Sequence, residues 1–182
     1  MLAQVINVSV EKSLLPAGAS ENFRTEGERS GSWLSGCTAG LTPDFATSTV
    51  FLIDDDAVLL CALEALLDIA GLNTRAYVSA RDFLNEYDGT QPGCVVSDVR
   101  LPEMTGIELQ RSLVEKGMSI PVVLITGYGD VQTAVKAMTA GAIDFLEKPF
   151  DEEALIGCVK KALAVDVNCR NARAIGQGIK TR

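Results

Sequence analysis

The 182-residue chain contains no histidine. This absence excludes Ser-His-Asp and Cys-His hydrolases, and it excludes a phosphohistidine within this chain, because each of them needs an imidazole. The five cysteines are scattered and form no Cys-x-x-Cys pair, which also removes the usual zinc arrangements. An odd number of scattered cysteines indicates no disulfide framework, so we expect a reducing, cytoplasmic location.

Basic residues and long apolar runs are also scarce. Sixteen Lys and Arg face 24 Asp and Glu, which gives a net charge of −8. Nucleic-acid surfaces need clustered cations, so we expect no direct nucleic-acid binding. No apolar run reaches the roughly 20 residues of a transmembrane helix, and the N-terminus lacks the charged and apolar pattern of a secretion signal. We therefore expect no membrane association.

The sequence divides into three parts. Residues 1–48 mix Ser, Gly and Thr with isolated charges and show no sustained period, which is typical of a disordered extension. Residues 49–165 alternate apolar strands with helical stretches and predict one domain. Residues 166–182 are too few for another domain, and we predict a C-terminal tail or linker stub there.

The alternation of strands and helices predicts an α/β fold. Five strands and five helices in this order favour a doubly wound parallel sheet with right-handed crossovers and helices on both faces. Acidic residues end the first and third strands, and this fits the strand order 2-1-3-4-5, in which those two strands are neighbours. The carboxyl ends of the strands would then form one common edge.

Polar side chains stand where four of the predicted strands end. They are Asp54 and Asp55 after the first strand, Asp98 at the third, Thr126 at the fourth and Lys148 at the last. Clustered carboxylates repel one another unless a cation joins them, and Mg²⁺ prefers such oxygen ligands. An aspartate beside the metal can attack phosphorus, while a lysine and a hydroxyl hold phosphoryl oxygens. The set predicts magnesium-dependent phosphoryl transfer.

Four motifs resemble those of the receiver domain of two-component response regulators. They lie at Leu52–Asp56, Ser97–Pro102, Leu124–Gly127 and Glu147–Phe150. The resemblance covers about residues 49 to 165, and the segment Ile125–Asp130 is most similar to FixJ-like regulators. It implies a flavodoxin-like fold and a phosphorylation-controlled interaction module, which catalyses only its own phosphorylation and dephosphorylation.

The resemblance also assigns a phosphoacceptor and a metal site. Asp98 would accept the phosphoryl group. Asp55 would bind Mg²⁺ with support from Asp54, and Asp98 and the backbone carbonyl of Arg100 would be further metal ligands. A sensor histidine kinase would be the phosphodonor.

Two further residues resemble the switch pair of such receivers. On phosphorylation the hydroxyl of Thr126 would turn toward the phosphoryl group, and the ring of Phe145 would follow it inward. Lys148 would contact a phosphoryl oxygen, with a cis peptide bond before Pro149. The face formed by the fourth helix, the following strand and the last helix would then be remodelled for binding of a partner or for homodimerisation, and FixJ-like receivers dimerise through that face. Phe145 as an ordinary core residue remains an alternative, since aromatic rings late in a strand are often simply packed.

Two other functions remain open from the sequence. The chain resembles FixJ-like transcriptional regulators without their DNA-binding domain, so it could be the receiver fragment of such a protein. The segment Asp54–Asp56 also superficially matches the nucleophile motif of haloacid-dehalogenase-like phosphatases. That family needs an acidic pair at the end of a further strand, whereas Asp151 and Glu152 here begin a predicted helix.

Overall fold

The computed structural model describes residues 45–127 and 131–178. The predicted extension therefore lies outside the described residues up to residue 44, and so do residues 128–130 of the segment that resembles FixJ-like regulators. Five strands and five helices alternate in the described part. They are β1 Thr49–Ile53, α1 Ala57–Ile69, β2 Asn73–Tyr77, α2 Ala80–Glu86, β3 Gly93–Asp98, α3 Gly106–Glu115, β4 Val122–Gly127, α4 Val131–Thr139, β5 Asp144–Lys148 and α5 Glu152–Gly178.

The five strands form one parallel sheet in the order β2-β1-β3-β4-β5, so the predicted flavodoxin-like fold is confirmed. Ile53 of β1 pairs with Ser97 of β3, which places the residues that follow them, Asp54 and Asp98, at the same edge. Gly127 of β4 pairs with Lys148 of β5 at that edge. The strand order thus brings the polar strand ends together.

Helices cover both faces of the sheet and bury two apolar clusters. Consecutive strand residues point to opposite faces, so Phe51 joins the cluster beneath α2, α3 and α4, while Leu52 joins the one beneath α1 and α5. Phe83 packs on Phe51, with ring centroids 5.4 Å apart. On the opposite face, Leu163 of α5 is buried in the second cluster. A parallel sheet buried on both faces explains why its strands read as continuous apolar runs.

Side-chain caps begin the helices that follow the polar edge. Asp56 accepts hydrogen bonds from the backbone N–H groups of Val58 and Leu59 at the start of α1. Thr105 and Glu108 form a reciprocal capping box at the start of α3. These caps fix the short loops that follow β1 and β3, and hence the positions of the acids on them.

The last helix continues beyond the predicted domain boundary. We predicted a tail or linker stub from residue 166, but α5 extends to Gly178. Asp166 is only 1% exposed, and its Oδ2 accepts hydrogen bonds from the backbone N–H of Gly93 at 2.9 Å and from Nε of Arg170 at 2.8 Å. Arg170 also donates to the carbonyl oxygens of Thr90 and Gln91. These contacts hold this part of α5 on the loop before β3.

The length of α5, 27 residues, does not make it a membrane segment. None of the described helices is both long and apolar enough to cross a bilayer.

Replacing Asp166 with alanine should lower the free energy of unfolding by about 1–3 kcal/mol, because the N–H of Gly93 would lose its buried acceptor. Chemical denaturation followed by circular dichroism measures the change. Asn168→Ala is the matched control, since Asn168 lies exposed in the same helix and its loss should change stability little. Equal effects of both substitutions would show that the Asp166 contacts do not stabilise the domain.

Candidate functional site

The ammonium group of Lys148 lies between two carboxylates at the carboxyl edge of the sheet. Its Nζ is 2.6 Å from Oδ2 of Asp98 and 3.0 Å from Oδ2 of Asp54. Lys148 ends β5, and the Lys148–Pro149 peptide bond is cis, as the family resemblance implied. One cation therefore bridges acids that come from β1 and β3, and the site keeps an excess of negative charge.

Asp54 is the most buried acid of this cluster, at 4% exposure. Its Oδ1 accepts a hydrogen bond from the backbone N–H of Asp56 at 2.9 Å. Burial raises the pKa of Asp54, and the hydrogen bonds from Asp56 and Lys148 offset that effect only in part. The fold thus holds a carboxylate in surroundings that disfavour its charged form.

Lys148 is held as a cation by its two partners. Burial alone would lower the pKa of Lys148, but hydrogen bonds and charge from Asp98 and Asp54 outweigh burial and raise it. The lysine therefore stays protonated and can donate to any additional acceptor brought to the site.

Asp98 is positioned by a backbone hydrogen bond from Arg100 and by the close approach of Gly106. Its Oδ1 accepts a hydrogen bond from the backbone N–H of Arg100 at 2.7 Å, which turns the carboxylate toward the edge of the sheet. A Cβ atom on Gly106 would lie 2.5 Å from the carbonyl oxygen of Asp98, so only glycine lets α3 begin this close to β3. This packing fixes the carboxylate relative to Lys148.

Thr126 and Phe145 lie on neighbouring strands and on the same face of the sheet. Leu124 pairs with Phe145, and Thr126 follows Leu124 by two residues, so all three side chains share a face. Thr126 is buried, whereas Phe145 is partly buried and packs against the cluster beneath α2, α3 and α4. The strand register places the two residues of the predicted switch pair on one face of the sheet, and the ring of Phe145 stays partly accessible.

The predicted metal ligands are only partly brought together. Asp54 and Asp98 converge on the same cation, but Asp55 is exposed. Within residues 45–127 and 131–178, no three Asp, Glu, Cys or His side chains form a group that could hold a metal ion. Two carboxylates and a backbone carbonyl suit Mg²⁺ chemically, because this ion keeps several waters and needs few protein ligands.

Sequence patterns did not predict two contacts that shape the site. The guanidinium of Arg100 donates a hydrogen bond to the carbonyl oxygen of Gly127 at 2.8 Å, which links the loops after β3 and β4. The close approach of Gly106 to the carbonyl oxygen of Asp98 was not predicted either. A glycine in the first turn of a helix is unfavourable, and that was the available signal of a packing constraint.

The arrangement can support nucleophilic phosphoryl transfer. A carboxylate at a strand end meets an ammonium group that can neutralise charge on a transferring phosphoryl group, and a hydroxyl from β4 lies at the same edge. Such transfers need positioning and charge neutralisation more than covalent chemistry from the protein.

Comparisons with known proteins agree with this geometry. The family model for the response regulator receiver domain matches residues 50–160. The chain is 47% identical over 116 residues to the response regulator protein TmoT of Ectopseudomonas mendocina, a match that covers 64% of this chain and 53% of that protein. It is 40% identical over 133 residues to the transcriptional regulatory protein FixJ of Bradyrhizobium diazoefficiens, which covers 73% and 65% of the two chains.

Solved structures show the same similarity. The response regulator StyR superposes with a TM-score of 0.70 at 41% identity, over 74% of this chain and 68% of that chain. The structure named FixJ-N superposes with a TM-score of 0.62 at 38% identity, over 64% of this chain and 94% of that chain. The chain spans about half the length of the curated relatives it matches first.

Substituting Asp54 with asparagine should raise the free energy of unfolding at pH 7 in metal-free buffer, by roughly 1 kcal/mol, because asparagine removes a buried charge and can still accept from Asp56. The folded-state pKa of Asp54 is raised, so its charged form weakens the fold at neutral pH. The advantage should shrink as the pH falls through that pKa. Thermal denaturation with EDTA at several pH values measures it.

Asp68→Asn is the control, since Asp68 is an exposed acid on α1. A loss of stability in Asp54→Asn, or an equal gain in Asp68→Asn, would contradict the predicted cost of the buried charge.

Proposed function

Because the chain belongs to the response regulator receiver domain family, we propose that Asp98 accepts a phosphoryl group from the phosphohistidine of a sensor histidine kinase. The observation that carries the proposal is the 2.6 Å contact between Asp98 and Lys148 at the end of the central strand. Receivers of this family are phosphorylated by such kinases, and this chain has no histidine of its own to serve as a donor.

In the proposed reaction an oxygen of Asp98 attacks phosphorus, and the bond from phosphorus to the donor nitrogen breaks. The product is an acyl phosphate on Asp98, and the electron pair of the broken bond stays on the imidazole of the kinase. Lys148 would move its hydrogen bond from the carboxylate to a phosphoryl oxygen, and Thr126 would donate to another. These two donors balance the charge that the phosphoryl group brings.

We propose Mg²⁺ as the cofactor, held by Asp55 with Asp54 in support, by Asp98 and by the backbone carbonyl of Arg100. The ion would neutralise charge on the phosphoryl oxygens. The oxygen chemistry of this set and its excess of negative charge support the assignment. Asp55 follows Asp54 directly and its side chain is exposed, so it would have to turn toward Asp98 when the ion binds.

The proposed output is a change in the surface around α4, β5 and α5. Movement of Thr126 toward the phosphoryl group would free space for the ring of Phe145, which already lies on the same face. The altered surface would bind a partner or a second copy of the chain. The domain itself would catalyse only its own phosphorylation and dephosphorylation.

The same chemistry would serve a longer transcriptional regulator. Some relatives are named transcriptional regulatory proteins, and the match covers 65% of one of them, FixJ of Bradyrhizobium diazoefficiens. In that case the domain would control an output segment instead of acting alone. The dehalogenase-like alternative loses its support, because the receiver family model matches the chain and Asp151 with Glu152 begins α5 instead of ending a strand.

Incubation of the whole chain with acetyl phosphate and Mg²⁺ should add the mass of one phosphoryl group, and Asp98→Asn should abolish this addition, because the amide is not a nucleophile toward phosphorus. Intact-protein mass spectrometry measures the change. Hydroxylamine should remove the group, as expected of an acyl phosphate. Asp55→Asn should raise the Mg²⁺ concentration needed for half-maximal labelling.

Asp82→Asn is the matched control, because Asp82 is an exposed acid on α2. It should be labelled as the unaltered chain is. A hydroxylamine-resistant label that persists in Asp98→Asn would overturn the proposal, and so would full labelling in EDTA.

A further inference from the structure

An open groove runs between α3 and α4, away from the polar edge. Its main part has a volume of about 480 Å³, and a smaller hollow of about 190 Å³ continues it toward the loop after α3. Both parts share Val114 and Ala140 as lining residues. We call the two together the α3–α4 groove.

Apolar side chains that face solvent line this groove from both helices. Val114 of α3 is 65% exposed, and Val135 of α4 is 59% exposed. Ile107 adds further apolar surface from α3. Together these side chains give the groove an apolar strip to which both helices contribute, and exposed apolar surface is one feature of interaction sites.

The charges beside the strip have one sign. Arg111 of α3 and Lys136 of α4 line the groove from opposite sides, and none of the described residues that line it is acidic. This contrasts with the whole chain, whose net charge is −8. Glu108, one turn before Arg111, directs its carboxylate to the N–H and hydroxyl of Thr105 at 2.8 and 2.9 Å. The groove therefore offers an apolar floor between two cations.

The groove is already formed without a partner. Gln110 of α3 donates a hydrogen bond from Nε2 to the carbonyl oxygen of Ala140 at 2.9 Å, which fixes the spacing of the two helices. Leu113 and Ala137 are fully buried beneath and belong to one core cluster. A ligand would therefore not have to open the groove, and this reduces the cost of binding.

We propose that the α3–α4 groove binds an acidic amphipathic helix of a partner protein. Apolar side chains one turn apart would cover Val114 and Val135, and flanking carboxylates would pair with Arg111 and Lys136. The groove lies between two helices and presents no strand edge, so a helical ligand fits it better than an extended peptide. This surface is distinct from the phosphoacceptor site and does not depend on the proposed role of Asp98.

The test uses a stapled helical peptide of about 15 residues, with Leu at one-turn spacing and Glu on both flanks. Fluorescence anisotropy should detect its binding to the whole chain. The double substitution Arg111→Glu with Lys136→Glu should weaken binding about tenfold or more, because two attractive contacts become repulsive. A Val114→Ser variant should weaken it as well, by removing apolar contact.

Lys160→Glu is the matched control for Lys136→Glu alone, since each replaces one exposed lysine by a glutamate, and on α5 across the sheet it should leave binding unchanged. Asp98→Asn should also bind normally, so a failed phosphorylation test would leave this inference intact. Absence of binding at millimolar peptide, equal binding of a peptide with Lys in place of Glu, or an equal effect of Lys160→Glu would overturn the proposal. The proposal would also be overturned if the unaltered chain formed dimers in solution and the double substitution dissociated them. A second copy of the chain would then be the occupant of the groove.

Discussion

The ion contact between Lys148, Asp98 and Asp54 is the constraint on which the polar edge depends. Lys148 ends β5, but its partners end β3 and follow β1, so its side chain must pass over the end of β4. Adjacent strands lie about 4.8 Å apart, and the reach from β5 to β3 is therefore roughly 10 Å. Small residues at the end of β4 leave room for it, since Gly127 pairs directly with Lys148.

This contact is electrostatically incomplete, and that property serves the proposed function. Two carboxylates share one ammonium group, and Asp54 is buried with a raised pKa. A second cation would therefore bind favourably, while the site without one weakens the fold. Two apolar clusters, one on each face of the sheet, offset this cost. The domain thus holds two carboxylates and one ammonium group close together at the end of a well-packed sheet. Such an unfavourable local arrangement is expected of a binding site for a cation and a phosphoryl group.

The strands and their order were predictable, because they leave patterns in the local sequence. Contacts between residues far apart in the chain were not. Apolar runs that end in Asp54 or Asp98 predicted strands, and the acids at their ends predicted the strand order. The pairing of Asp166 with Gly93 joins residues 73 positions apart and leaves no local pattern. The contact of Arg100 with Gly127 is similar, because an exposed arginine has many partners that periodicity does not distinguish. The continuation of α5 through residues 166–178 was not predicted for the same reason, since the Asp166 contact that holds it is not local.

These unpredicted contacts bear on how a change at Asp98 would spread. At the start of β3, the N–H of Gly93 donates a hydrogen bond to Asp166. A Cβ atom on Gly93 would clash with the carbonyl oxygen of Thr49, so β3 packs closely against β1 at this point. Asp98 lies at the opposite end of β3. A strand fixed in this way does not slide to accommodate a phosphoryl group. In the proposed mechanism the adjustment would fall on the neighbouring loop, where Arg100 donates a hydrogen bond to Gly127, and this would direct the change toward α4.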